Sequence, residues 1–409
     1  MRNIGILTYH SVANFGANLQ ALSTFYFLKK RGYNPLVIDY VPDKLEKKDK
    51  RLTPENQYNI HQQLCKNRLV MTAKCRDAED IAKVIKDNAI EGVIIGSDAV
   101  AQHHTWKSRL LFPSKTIVSV LPSIEDQMCP NPFWGTFNDK LEKPIPLAMM
   151  SVSNQNSNYK LMTKKEKETM GHYASQMVYI STRDQRTSDM IKMATKGHVE
   201  PSVTPDPVFA FNENVDFQIS EEEIRSKYNL RGKYILLCFD HPRNITQEWL
   251  ADFMKLAKEK DLECVALPLP GGISFCHPFE KEIPLPLNPL DWYALIKYSS
   301  GYVGCNMHPI VVSLSNAVPC CSFDNYGIAH FRVFIDKKGS KIYHIMNEFG
   351  VADNRYRARG LFQETPSPDC VLSQLEKFPR EQVRLRAAEY LERYKKMMHD
   401  IETALSRKI

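Results

Sequence analysis

Apolar residues in this chain fall mostly into short continuous runs, and the runs alternate with amphipathic stretches of helical spacing. "IGILTYH" is one such run. "SVANFGANLQ" after it has the small and polar residues of a turn, and "LQALSTFYFLKKRG" sets Leu19, Leu22 and Tyr26 on one stripe before Gly32 stops it. "NPLVIDYV" then supplies a second strand, so the opening predicts a β-α-β unit. A polar, basic stretch from about Asp43 to Arg76 reads as an exposed excursion, and "EGVIIGSDAV" returns to strand. Between Phe112 and Lys143 the prolines Pro113, Pro122, Pro130 and Pro132 predict a long irregular loop. "IPLAMMSVS" is a strand, "KKEKETMGHYASQMVYI" a helix feeding a strand, and "STRDQRTSDMIKMATKG" a turn and a helix ended by Gly197.

Pro201, Pro205 and Pro207 stand close together in "EPSVTPDPVFAF", which marks a domain boundary. Beyond it the alternation resumes: "KYILLCFD", the helix "TQEWLADFMKLAKEKD", "ECVALPLP", the helix "NPLDWYALIKYSSG", then "YVGCNMHPIVVSLSNAVPCCSF". In that last segment "PIVVSLSN" reads as the apolar face of a helix, with Pro309 in its first turn. Continuous apolar strands are the mark of parallel sheets covered on both faces. The pattern therefore predicts an α/β chain of two Rossmann-like, doubly wound domains facing a cleft. Their expected bounds are 1–203 and 204–370, with 371–409 a long C-terminal helix packing back across both. Ligands in such sheets bind outside the carboxyl ends of the strands.

Composition narrows the function little. Hydrophobic residues at 43% and charged residues at 25% are ordinary for a globular protein of 409 residues. No apolar run is long enough to cross a membrane, and the start enters a strand pattern without the apolar core of a signal peptide, so a cytoplasmic location is expected. The ten cysteines are scattered without paired C-x-x-C motifs, which predicts reduced thiols and no metal site. A net charge of +7 suits an anionic substrate or an anionic membrane surface. No nucleic-acid-binding motif is present, and G-x-G-x-x-G is absent, so a bound dinucleotide is not expected.

Five segments, taken in order, resemble the polysaccharide pyruvyl transferase family: "GILTYHSVANFGANLQALSTFYFLKKRGYNPLVIDYV", "GVIIGSD", "ISTRDQRTSDMI", "VTPDPVFAF" and "ALIKYSSGYVGCNMHPIVVSLSNAVPC". The resemblance implies a fold like that of the two-domain B-type glycosyltransferases. It also implies transfer of the enolpyruvyl unit of phosphoenolpyruvate to a sugar of a surface or capsular polysaccharide precursor, giving a pyruvate ketal and phosphate. The acceptor would be a sugar, usually on a lipid-linked oligosaccharide, with possible peripheral membrane contact, and no cofactor is required. A nucleotide-sugar glycosyltransferase and a non-catalytic glycan-binding relative are the alternatives.

The resemblance assigns a phosphoenolpyruvate-binding role to Arg183 in "ISTRDQRT" and a role in substrate binding or proton transfer to His308. Phosphoenolpyruvate carries two anionic groups, for which arginine forks are the best donors. An imidazole beside two anions is expected to be pushed toward its charged form, as befits a general acid. Many family members place an arginine two residues before this histidine, where this chain has Asn306. Arg243, Arg332 or His330 could compensate, with Arg243 preferred; the alternatives are a donor other than phosphoenolpyruvate or a loss of activity. Asn14 and Gly16 lie where a turn meets the first helix and can present backbone N–H groups to a phosphate or a hydroxyl. His10 at the strand end is a further cleft residue. Asp98 in "IIGSD" either works on the sugar hydroxyl or caps a helix, and Asp206 is read as tying the linker. On the C-terminal helix, Arg380, Arg384, Arg386, Arg393, Lys395 and Lys396 suit either a lipid surface or a solvated face.

Overall fold

In the computed structural model, residues 1–105, 110–111, 119–120, 125–155, 157–240, 245–273, 279–324, 328–330, 334–336, 340–358 and 363–406 are described. Two parallel sheets organise them. The first contains β1 (Asn3–Leu7), β2 (Asn34–Val37), β3 (Gly92–Ile95), β4 (Leu147–Val152), β5 (Tyr179–Thr182) and β6 (Ser202–Val203), in the order β2-β1-β3-β4-β5-β6. The second contains β7 (Lys233–Cys238), β8 (Leu262–Ala266), β9 (Gly301–Gly304), β10 (Cys320–Asp324) and β11 (Arg355–Arg357), in the order β8-β7-β9-β10-β11. Each sheet reverses its winding once, between β1 and β3 in one and between β7 and β9 in the other. The fold class is the expected one. Strands such as β3, buried at every position, explain why the sequence shows apolar runs without alternation.

Helix α1 (Phe15–Lys30) starts earlier than the sequence pattern suggests. The Asn14 side chain accepts the Ala17 N–H at 3.2 Å, so Gly16 and Asn18 belong to the helix and not to the turn before it. The excursion after β2 is also more ordered than expected. It forms α2 (Asp43–Leu52) and α3 (Glu55–Arg68), and α3 buries Gln57, His61, Leu64 and Cys65. Its polar composition misleads because the buried polar groups are hydrogen-bonded. The proline-rich stretch lies partly outside the described residues. The described part, from residue 125, forms 3-10 turns whose Phe133, Trp134 and Phe137 are core residues.

The two sheets meet along a seam. Phe15 stacks on Trp292 with ring centroids 5.2 Å apart, and the Gln57 amide bonds both backbone groups of Leu287, at 2.6 and 2.9 Å. The C-terminal helix, α6 (Arg380–Ser406), closes the back, burying Tyr390, Tyr394, Met397 and Ile401. Asn214 donates to Tyr394 Oη at 3.1 Å, Arg2 donates to Leu405 O at 3.0 Å, and Arg31 pairs with Glu402 at 3.1 Å. Its basic side chains are matched locally: Arg386 with Glu389, Lys395 with Glu213 and Glu392, Lys396 with Asp400, and Arg393 with the Val203 carbonyl. Among the described residues, no helix is long and apolar enough to cross a membrane.

Candidate active site

The carboxyl ends of β1, β3, β7 and β9 converge on one cavity of about 310 Å³. Tyr9, Asp98, Cys238 and Asn306 each follow or end one of these strands and line it. The cavity thus sits at the winding reversal of both sheets, where the absence of a crossing helix leaves a crevice. Two further helices start here: α4 (Met307–Ser315) and α5 (Lys341–Glu348). With α1, three helices put their first turn against the cavity through Phe15 and Gly16, Met307 and His308, and Lys341. None of the three carries an acidic residue in that first turn, so the positive ends of their dipoles are not offset there.

His308 is held by the shape of α1. A Cβ on Gly16 would stand 1.9 Å from His308 Cγ and 2.2 Å from Nδ1, so the imidazole occupies the space that a side chain at position 16 would take. On the other side, Asn306 has φ 74° and ψ 150°, a region that glycine occupies readily and other residues at a cost of about 1–3 kcal/mol. Asp98 also has a positive φ, 87°. Two strained polar residues therefore face the same cavity from the two sheets.

Beneath the cavity lies a buried charge cluster. Arg183 is 4% exposed and donates to Asp206 Oδ2 at 2.8 Å and to Asp98 Oδ1 at 3.4 Å. Asp206 also accepts from the Gln20 amide at 2.6 Å and from the Val208 N–H at 3.0 Å. His308 Nε2 stands 4.0 Å from Asp206 Oδ2, too far to hydrogen-bond, and has no partner among the described residues. Burial pushes the His308 pKa below its ordinary value. Asp98 and Asp206 pull it up, and Arg183 and Lys341 add to the lowering. The protein's own groups thus favour the neutral imidazole, against the expectation that nearby anions would charge it, because desolvation and two cations outweigh the two carboxylates. Burial works to raise the Asp98 pKa, but Arg183, His308 and Lys341 override it and hold the carboxyl below its usual range. Burial, followed by repulsion from Arg183, brings Lys341 down to about 8 in spite of Asp98, Asp184 and Asp206.

Of the residues singled out from the sequence, His308, Asp98, Asn306, Asn14 and Gly16 all line the cavity. Arg183 does not. It lies under the floor with two of its nitrogens bonded to carboxylates, whereas the sequence pattern placed its guanidinium in the cleft. His10 is turned away, its ring nitrogens 3.1 Å from the Thr8 carbonyl and 2.9 Å from Asp39. Arg243 and Arg332 lie outside the described residues, as does the His330 side chain. Sequence reasoning missed Tyr9, whose hydroxyl donates to Asp126 at 2.6 Å, and Lys341, which follows a stretch with no recognisable pattern. Among the described residues, no cluster of His, Cys, Asp or Glu is arranged to hold a metal ion.

A doubly wound pair of domains with a polar cleft at both winding reversals is the architecture of the B-type glycosyltransferase fold class, and solved structures agree on the fold. A UDP-N-acetylglucosamine 2-epimerase from Neisseria meningitidis, bound to UDP-GlcNAc, superposes with a TM-score of 0.55 at 10% identity, over 98% of this chain and 100% of its own. A glycosyltransferase from Rickettsia africae gives 0.53 at 12%, over 100% and 99%. A UDP-GlcNAc 2-epimerase from Methanocaldococcus jannaschii gives 0.52 at 12%, over 98% and 100%. The family is narrower than the fold: a family model described as polysaccharide pyruvyl transferase matches residues 14–326, and the chain belongs to that family. No curated protein matches its sequence.

Proposed function

We propose that the protein transfers the enolpyruvyl group of phosphoenolpyruvate to a sugar of a surface-polysaccharide precursor, forming a pyruvate ketal and releasing phosphate. The observation that carries this reading is the convergence of His308, Asp98 and Lys341 in one cavity ringed by three helix N-termini. The helix ends suit a donor with two anionic groups. Binding of such a donor adds negative charge beside His308 and raises its pKa, so the imidazole becomes the acid that protonates the enol carbon. C2 then carries positive charge, a sugar hydroxyl attacks it, Asp98 takes the hydroxyl proton, and phosphate leaves. Asp98 passes its proton to the departing phosphate, and attack by a second hydroxyl, whose proton returns to His308, closes the ketal. Arg183 positions Asp98 and Asp206 and helps to keep Asp98 ionised, in place of the direct donor contact that the family resemblance assigns to it.

The wild-type protein is expected to release phosphate from phosphoenolpyruvate when a lipid-linked or nitrophenyl glycoside is present, and His308→Ala to release at least ~100-fold less. Equal release by the variant removes His308 from the chemistry. Phosphoenolpyruvate is expected to raise the melting temperature more than UDP does. The reverse order would favour a nucleotide-sugar donor.

A further inference from the structure

The cavity wall carries a cation that no sequence motif marks. Lys341 opens α5, and the start of that helix is fixed by a fully buried network. Ser340 accepts the Tyr343 N–H at 3.1 Å and donates to Asp324 Oδ2 at 3.0 Å. Arg355 grips Asp324 at two points, 2.8 and 2.7 Å, and Ser340, Asp324 and Arg355 are 1%, 0% and 5% exposed. Breaking a desolvated pair of this kind leaves an uncompensated charge, so the anchor of α5 is stiff. Lys341 itself reaches the cavity that His308, with its unpartnered and buried Nε2, also lines.

We propose that Lys341 binds the anionic group of the donor, supplying the cation that is missing where this chain has Asn306. The proposal rests on the donor being anionic, as in the reading above. Arg183 cannot easily serve, because two of its nitrogens are engaged by Asp206 and Asp98 beneath the floor. An ammonium is a compact point charge that needs no fork geometry, so it can replace a guanidinium that approaches from another element. Among the described residues, the charged groups that act on it include Asp98 at the end of β3, Arg183 and Asp184 after β5, Asp206 in the crossing segment and His308 on α4. Arg355 and Asp324, on the strands beside α5, are occupied with one another.

Isothermal titration of the full chain with phosphoenolpyruvate and with inorganic phosphate tests this. Lys341→Met is expected to weaken binding of phosphoenolpyruvate by ~10-fold or more, the worth of one charge-assisted hydrogen bond, while thermal unfolding stays cooperative. In a His308→Ala background, which removes that residue's own proton uptake, affinity is expected to fall above about pH 8 as the ammonium deprotonates, and adding Lys341→Arg to abolish that fall. Wild-type affinity in a folded Lys341→Met overturns the proposal. Should that variant fail to fold, a fall above about pH 8 retained when Lys341→Arg is added to His308→Ala overturns it instead. If the wild type binds UDP and not phosphoenolpyruvate, and Lys341→Met weakens UDP by the same factor, the donor reading falls while the role of Lys341 stands.

Discussion

The imidazole of His308 combines two properties that are rarely found together: it is buried and it lacks a hydrogen-bond partner on Nε2. Burial keeps it neutral, so it cannot be a proton donor until something negative arrives. Donor binding should therefore take up a proton. Near pH 7 Lys341, at about 8, is already mostly charged, which leaves His308 as the source of the effect. Titration of phosphoenolpyruvate into the protein near pH 7, in buffers of different ionisation enthalpy, is expected to show uptake of up to about one proton per donor bound, and none in His308→Ala. Identical buffer dependence in the two proteins would refute the coupling. His308 and Asp98 were readable in the sequence because they sit in short motifs at strand ends. Lys341 was not, since a single lysine after "KKGS" has no spacing to distinguish it from surface charge. Arg183 was found but its direction was not, because a strand-end position says nothing of which carboxylates lie beneath it.

At the scale of elements, strands and most helices follow from apolar runs and their stops, whereas helix starts depend on single capping bonds. Asn14 shifts the start of α1 to Phe15, and this places Gly16 against the His308 ring instead of in a flexible turn. A larger residue at 16 must displace the imidazole. Gly16→Ala should stabilise the helix by up to about 1 kcal/mol through propensity but cost ~1–3 kcal/mol through overpacking, so the melting temperature should fall by at most a few degrees. Activity should fall far more, by ~100-fold, the usual penalty for moving a reacting group by about 1 Å. Comparing kcat with the thermal midpoint separates the two effects. A variant with normal kcat would mean that His308 is not held by α1. The excursion Asp43–Arg76 is exposed along α2, as its composition suggests, but α3 buries Gln57 and His61, whose partners include groups on distant elements.

Across the whole molecule, the two sheets are joined by a hydrogen-bonded chain whose proton positions are fixed. The Leu287 N–H donates to Gln57 Oε1 at 2.6 Å, so the Gln57 amide nitrogen faces the Leu287 carbonyl and His61 Nε2, each at 2.9 Å. His61 Nε2 must then accept, and its Nδ1–H donates to Asn18 Oδ1 at 2.5 Å. Only neutral His61 satisfies both contacts, and burial alone lowers its pKa to about 4. Below an unfolded-state value of about 6.5, the unfolded chain takes up a proton that the native fold refuses. The latch therefore contributes fully above about pH 6.5, and that contribution shrinks as the pH falls toward 4, by up to ~3 kcal/mol. Urea unfolding of the wild type near pH 7 and near pH 5 is expected to show a lower midpoint at the acid condition. His61→Gln, which can accept from Gln57 and donate to Asn18 without titrating, is expected to lose most of that difference. If the variant keeps the wild-type pH slope, the acid sensitivity arises elsewhere and the seam between the sheets is not its seat.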